Sequence, residues 1–387
     1  MFKNNKRLIV IAAVTLVGAL GYGIVIPILY PYSVKYGLTD FQNGALFAVY
    51  SVCMFISTPI IGQLSDKYGR RPLLIISLFG TAVSFFLMAF APNAIFLFLA
   101  RALDGFTAGN LPVAQAVISD STEGKERTRG FAIIGACFGA GFIAGPAISA
   151  ITAGISLRLP FIIAGIISLI SVGLAVWLLD ETNQHLGKIV HKKWFDFKKM
   201  FSTLADLQVG STLIICFLWA FAFGMFIFAF QPLSVKLLHL EEKTIALIFT
   251  LFGVIGLFSQ LFLVARVSHA LGILKTFSLA LAVLALGFIL LSLTGSLALL
   301  VTACIVVGLS NSTIQTLVQT VLSHETESHK QGEILGINAS FMSLGQILGP
   351  LIAGAVAIVS IHYPFVLAAG LAFTAFLISR SIKLKYN

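Results

Sequence analysis

Residues 62–74 read GQLSDKYGRRPLL, and an apolar stretch long enough to cross a bilayer lies on each side. One acid and three bases are packed into a turn between two helices, in a chain that is otherwise poor in charge. So short a turn lies at a membrane surface. Three cations there mark that surface as the cytoplasmic one, because short cytoplasmic loops collect Lys and Arg. The stretch therefore orients the molecule, and its acid beside bases suggests a gate.

The rest of the composition agrees with a membrane reading. Of 387 residues, 58% are apolar and only 10% charged, and the mean hydropathy is +1.00. A soluble domain carries roughly 25% charged residues, so this chain has too little polar surface to face water. The net charge of +10 would point to nucleic acid in a soluble protein. Here the bases gather at helix ends rather than on one face, so no nucleic-acid partner is expected. Cys53, Cys137, Cys216 and Cys304 fall singly inside apolar runs and read as small core residues. The seven histidines sit in loops or near helix ends, so no metal site and no cofactor are expected.

Twelve apolar runs can be read against the charged punctuation, the first over about residues 8–30 and the last over about 364–382. Runs of about 20 residues rise about 30 Å and match the hydrocarbon thickness. The first is long enough to remain as a transmembrane helix rather than act as a cleaved leader. With both termini placed in the cytoplasm, Lys35, Arg158, Lys236 and Lys243 face outward and Arg101 lies within a helix. The other twenty of the 25 Lys and Arg residues then face inward. A multi-pass protein of the cell membrane, monomeric and embedded in lipid, is the expectation. Residues 181–206 form a cytoplasmic linker between a bundle at 1–180 and another at 207–387. Trp194, Phe195, Phe197, Met200 and Phe201 lie among the linker's lysines. An amphipathic segment on the inner leaflet and a plain solvated linker both fit.

The halves repeat. Pro31-Tyr32-Ser33-Val34-Lys35 returns 201 residues later as Pro232-Leu233-Ser234-Val235-Lys236. Gly141, Gly145 and Pro146 return 204 residues later as Gly345, Gly349 and Pro350, and Gly69 returns as Gly272. Two parallel six-helix halves place a substrate site between them near the bilayer midplane.

Four groups of residues are candidates for function. In the opening turn, Gly62 and Gly69 suit close approach and a tight bend. Asp66 is placed to meet a helix N-terminus, with Gly332 as the candidate, and Arg70 or Arg71 to pair with Asp120. Lys67 and Arg71 have topology alone as their plainer account. The fourth predicted helix carries Arg101 and Asp104, three apart and so on one face. A charge in mid-membrane costs about 2.5–3.5 kcal/mol even on the lenient scale, and Asp104 is the one carboxylate deep in an apolar run. It is a candidate for proton coupling, with a static pair to Arg101 as the rival. Gly141, Gly145 and Pro146, with their repeats, let helices approach closely and bend. Gln115, Gln231, Asn311, Gln315, Gln319 and Asn338 are expected to line a cavity; Asn311, Gln315 and Gln319 are spaced i, i+4, i+8. Hydrogen bonds between helices are the plainer account of each amide.

The turn Gly62-x-x-x-Asp66-Lys67-x-Gly69-Arg70-Arg71 resembles the loop 2–3 signature of the major facilitator superfamily, and the resemblance covers the whole chain. It implies an all-α integral membrane fold of twelve transmembrane helices in two pseudo-repeated six-helix bundles. It also implies a cytoplasmic gate made by Gly62, Asp66, Lys67, Gly69, Arg70, Arg71 and Asp120. Asp104-Gly105, Gly109-Asn110, residues 135–146 and Gly345-Gln346-Ile347-Leu348-Gly349-Pro350 look like the tetracycline-efflux-like group of drug–proton antiporters. Arg101 matches the helix 4 arginine used there in coupling. That group implies export of an amphiphilic small molecule against protons, with no enzymatic step. Tetracycline pumps carry an aspartate in helix 1 where Gly18 stands here, which argues against tetracycline itself. A transporter of a sugar or organic anion, by uptake or uniport, is the alternative. A membrane receptor or scaffold is the second, and no nucleophile–base pair or appended soluble domain speaks for an enzyme.

Overall fold

The computed structural model describes residues 2–122, 124–183, 197–204, 206, 209–327 and 331–382, which are predominantly helical, with no strand among the described residues. The order is α1 (Phe2–Val34), α2 (Asp40–Tyr68), α3 (Arg70–Ala89), α4 (Ala94–Thr107), α5 (Asn110–Ser121), α6 (Gly124–Thr152), α7 (Leu159–Leu178), α8 (Phe197–Thr203) and α9 (Gly210–Pro232). Then follow α10 (Glu242–Phe258), α11 (Val264–Leu271), α12 (Ile273–Ser292), α13 (Leu297–Glu325), α14 (Gln331–Ala357) and α15 (Tyr363–Ser379). Eleven spans are long and apolar enough to cross a membrane, and the 17-residue α15 is the twelfth apolar helix. Trp177, Ile155, Ile151 and Val359 stand on the outside, between 73% and 84% exposed, as hydrocarbon-facing side chains do.

Local chemistry explains the interruptions. The fourth span, Ala94–Ser121, is broken at Ala108 and Gly109. Pro112 has no N–H for the carbonyl of Ala108 and its ring crowds that carbonyl. Ala108 instead donates to Gly105 at 3.2 Å and Val113 to Gly109 at 3.4 Å. The eighth span, Glu242–Leu271, passes through a π-helical turn, Ser259–Leu263, and a second π turn, Leu233–Leu237, follows α9. Short turns end in side-chain caps: the Asn93 carboxamide oxygen accepts from Ile95 and Phe96, and the Ser296 hydroxyl from Leu299.

Two compact units result. Unit 1 holds Met1–Leu38, Val49–Phe195 and Glu241–Thr250; unit 2 holds Thr39–Ala48, Asp196–Leu240 and Leu251–Asn387. The division in the linker thus lies near residue 195, and the first turns of α2 and α10 each belong to the unit other than the rest of their helix. In unit 1, α1 packs on α6 and α3 on α7; in unit 2, α9 packs on α14 and α12 on α15. The paired seams use the same atoms. A Cβ on Gly145 would stand 2.8 Å from the Cα of Gly23, and one on Gly349 would stand 2.8 Å from the Cα of Gly224. One on Gly141 would stand 2.9 Å from the Leu20 nitrogen, and one on Gly345 2.7 Å from that of Phe221. Backbone lies directly on backbone at these glycines, next to Pro146 and Pro350, as the repeat in the sequence leads one to expect.

The predicted amphipathic linker falls in part outside the described residues, which leave out Trp194 and Phe195. Of the rest, α8 buries Met200 and exposes Phe201, whose ring centroid lies 6.3 Å from that of Phe341. The first turn of α2 is held in unit 2 by Asp40, which accepts from the Lys236 ammonium at 2.7 Å.

Candidate functional site: a buried ion pair and a laced turn

Arg101 and Asp104 lie one turn apart on α4, 3% and 7% exposed. The Arg101 guanidinium donates to the Asp104 carboxylate at 3.0 Å. Its central carbon sits 4.3 Å from the centroid of the Tyr50 ring on α2, so the ring face supplies a second electrostatic partner. Tyr50 can come so close because Gly105 has no side chain: a Cβ there would meet the Tyr50 carbonyl oxygen and would stand 2.7 Å from the Cβ of Cys53. The Ser57 hydroxyl fastens the same crossing, donating to the Gly105 carbonyl at 3.0 Å. Tyr22 of α1 extends the aromatic group, 6.3 Å from Tyr50 and 6.0 Å from Phe142 between centroids. Arg101 Nε is buried with no hydrogen-bond partner among the described residues.

The turn at residues 62–74 is more heavily bonded than its sequence suggests. Gly69 takes φ +108, a conformation that excludes side chains. Gly62 does not share this role: it lies inside α2, and no atom stands within 4 Å of where its Cβ would be. Neither close approach nor the bend is therefore required of it. Arg70 serves as the hub. Its guanidinium reaches Asp66 at 2.6 Å, Asp120 at 2.9 Å and the Ser65 hydroxyl at 2.7 Å. Arg70, not Arg71, is thus the residue that meets Asp120, and Asp66 is engaged by Arg70 in its own unit. Arg71 donates to the Val176 carbonyl at 2.6 Å, and Lys67 lies 4.8 Å from the centroid of Tyr68.

Glu181, just beyond α7, completes this network. Its carboxylate accepts from the backbone N–H groups of Arg70 and Arg71 at 2.9 and 3.0 Å. It also accepts from those of Thr182 and Asn183, each at 2.9 Å. It caps the start of α3 where the helix has unsatisfied donors and a positive dipole end. Burial pushes its carboxyl up, but the bonds from Asn183, Arg70, Arg71 and Thr182 outweigh burial and hold its pKa below the ordinary glutamate value. The Asn183 amide donates to the Asp66 carbonyl at 2.7 Å, a second strap over the turn.

The amides do not behave as one face. Asn311 is 8% exposed and its oxygen accepts from the Trp219 indole at 2.9 Å. Gln231 is fully buried within unit 2. Asn338 is buried too, its nitrogen 3.6 Å from the Met342 sulfur and its oxygen without a partner among the described residues. Gln115, Gln315 and Gln319 are exposed on their units. The expected lining set therefore divides, and Asn311, Gln231 and Asn338 are internal to unit 2 because neighbouring helices cover them. Glu325, at the end of α13, is also 2% exposed. One of its oxygens accepts from the Thr212 hydroxyl at 3.1 Å, and the other has no partner among the described residues.

Comparison with known proteins bears on the family and the fold. The family model described as Major Facilitator Superfamily matches residues 11–339 and 212–384. The chain is 32% identical to the class G tetracycline resistance protein of Vibrio anguillarum, covering 88% of each. It is 27% identical to multidrug resistance protein 2 of Bacillus subtilis (strain 168), over 91% of this chain and 89% of that protein. Among solved structures, the nucleoside transporter NupG superposes with a TM-score of 0.79 at 16% identity, over 97% of this chain and all of that one.

Proposed function

The chain belongs to the Major Facilitator Superfamily, and from that premise we propose that it exports an amphiphilic small molecule in exchange for protons by alternating access. As a member it is a multi-pass membrane transporter of small molecules and not an enzyme. Drug export is supported by the two relatives, whose names are those of tetracycline and multidrug resistance proteins. Gly18 in place of an acid makes tetracycline itself the less suitable substrate.

The observation that carries the coupling is the buried Arg101–Asp104 pair over Tyr50. With Asp104 ionised, the pair is neutral overall and each ion is compensated. A proton on Asp104 removes that compensation and leaves a buried guanidinium, which costs several kcal/mol unless something else meets it. A ligand presenting an acceptor or a π-face to Arg101 would do so. Proton occupancy and ligand occupancy are thereby linked through one residue, which is what exchange requires. Gln115, Gln315 and Gln319, the amides exposed on their own units, are the candidates to meet substrate. Asp66, Arg70 and Asp120, steadied by Glu181, would hold the cytoplasmic gate. Both termini lie in the cytoplasm, on the bias of the Lys and Arg residues.

Reconstituted protein in everted vesicles with an inward-acid gradient should concentrate a fluorescent amphiphilic cation such as ethidium. Asp104→Asn should abolish gradient-driven flux and keep counterflow exchange. Undiminished gradient-driven flux in Asp104→Asn removes the residue from coupling, and accumulation only in right-side-out vesicles reverses the direction.

A further inference from the structure

The glycine seams fix the register of the repeat. Gly23 and Gly224 meet equivalent atoms of α6 and α14, so positions on α1 and α9 correspond at an offset of 201. Tyr22 then answers to Phe223, and the geometry agrees: the Tyr22–Tyr50 centroids are 6.3 Å apart and the Phe223–Phe252 centroids 6.2 Å apart. The same offset sets Gly18 against Trp219. Here the halves part. Trp219 is 4% exposed, and its indole N–H is bonded to Asn311. At Gly18 there is no side chain. A Cβ there would have only the Asn110 amide within 4 Å, its oxygen at 3.7 Å and its nitrogen at 3.9 Å. Asn110 itself is 5% exposed, and no hydrogen bond joins its side-chain amide to the described residues. Gly18 itself is half-buried. Unit 1 therefore has the aromatic platform and an amide acceptor, and lacks the ring that fills the equivalent place in unit 2.

We propose that Gly18, Asn110 and Tyr22 form a substrate subsite that takes a planar aromatic group carrying an N–H or O–H donor. The ligand supplies in unit 1 what Trp219 supplies in unit 2. Its ring lies over the bare Cα of Gly18, and its donor meets the Asn110 oxygen. A nearly buried amide without a partner favours a ligand that satisfies it over one that cannot. This inference rests on the transporter reading and deepens it, since it names a substrate class.

The probes are tryptamine and 1-methyltryptamine, which differ by the single N–H, titrated by calorimetry into the purified full chain in nanodiscs. Tryptamine should bind about 5- to 10-fold more tightly, the worth of one net hydrogen bond. Asn110→Leu should abolish that preference, with Asn110→Ala as a second variant should Asn110→Leu fail to fold. Gly18→Leu should weaken both probes at least about tenfold by filling the notch. Equal binding of the two probes, no binding of either, or a preference that survives both Asn110 variants overturns the subsite. Ethidium export in everted vesicles is read in parallel. Its absence with the probe preference intact overturns the export reading instead.

Discussion

The α2–α3 turn and the α11–α12 turn are the same backbone device with different side chains. Both pivot on a glycine at positive φ, Gly69 at +108 and Gly272 at +83, and each glycine stands at the N-cap of the helix that follows. Around Gly69, Arg70 binds two carboxylates and Glu181 caps the new helix. Around Gly272, the place of Arg70 is taken by Ile273 and that of Asp66 by His269. The acid at the end of α13, Glu325, accepts from the Thr212 hydroxyl, where Asp120 at the end of α5 has an arginine. The turn needs only the glycine. The arginine–carboxylate network is an addition made in one half, on a turn that both halves share.

The sharpest way to break this comparison is at the glycines. Gly69→Val and Gly272→Val both force a β-branched residue to positive φ, at about 1–3 kcal/mol each. Only at Gly69 would the new Cβ also strike the Glu181 carboxylate, since nothing lies within 4 Å of the Gly272 position. Gly69→Val should lower the unfolding midpoint in detergent by clearly more; equal losses would mean that Glu181 contributes nothing to the turn. Next come the acids and their partner. Arg70→Ala removes two ion pairs and a hydroxyl bond and should cost about 1–2 kcal/mol. Glu325→Gln keeps an acceptor for Thr212 and should stay within about 0.5 kcal/mol of the parent. A large loss in Glu325→Gln would reveal a cation partner and end the contrast.

The smallest effect is the most specific. Glu181 has a folded-state pKa below its unfolded value. Its stabilising share is therefore present above the unfolded value, about 4.3, and is lost as pH falls through the lower folded-state value. Melting curves from pH 7 down to pH 3 should show an acid-side decline that Glu181→Gln flattens. Superimposable pH profiles would show that the cap carries no charge-dependent stability.

Much of this was legible in the sequence, and the failures have physical reasons. The twelve apolar runs correspond to eleven membrane-length spans and the shorter α15, because bilayer thickness sets their length. The Arg101–Asp104 pair was readable from a spacing of three. Tyr50 was not, because a cation over a ring is a contact between helices and leaves no spacing. Glu181 was missed because its partners are backbone N–H groups, which have no letter in a sequence. The amides at 311, 315 and 319 share a helical stripe, but periodicity does not say where the next helix ends: Trp219 covers the first of them and leaves the other two open.

The glycine seams also bear on heredity. Every missense single-base change in a glycine codon yields a residue with a Cβ. At Gly23, Gly141, Gly145, Gly345 and Gly349 that atom would stand under 3.0 Å from a neighbouring helix, so no one-step missense change passes there without a shift in the seam. Gly62, Gly135 and Gly139 have open space, and Gly18 meets only an amide. A lineage of this transporter adapting to a new compound is therefore steered away from its seams and toward positions such as Gly18.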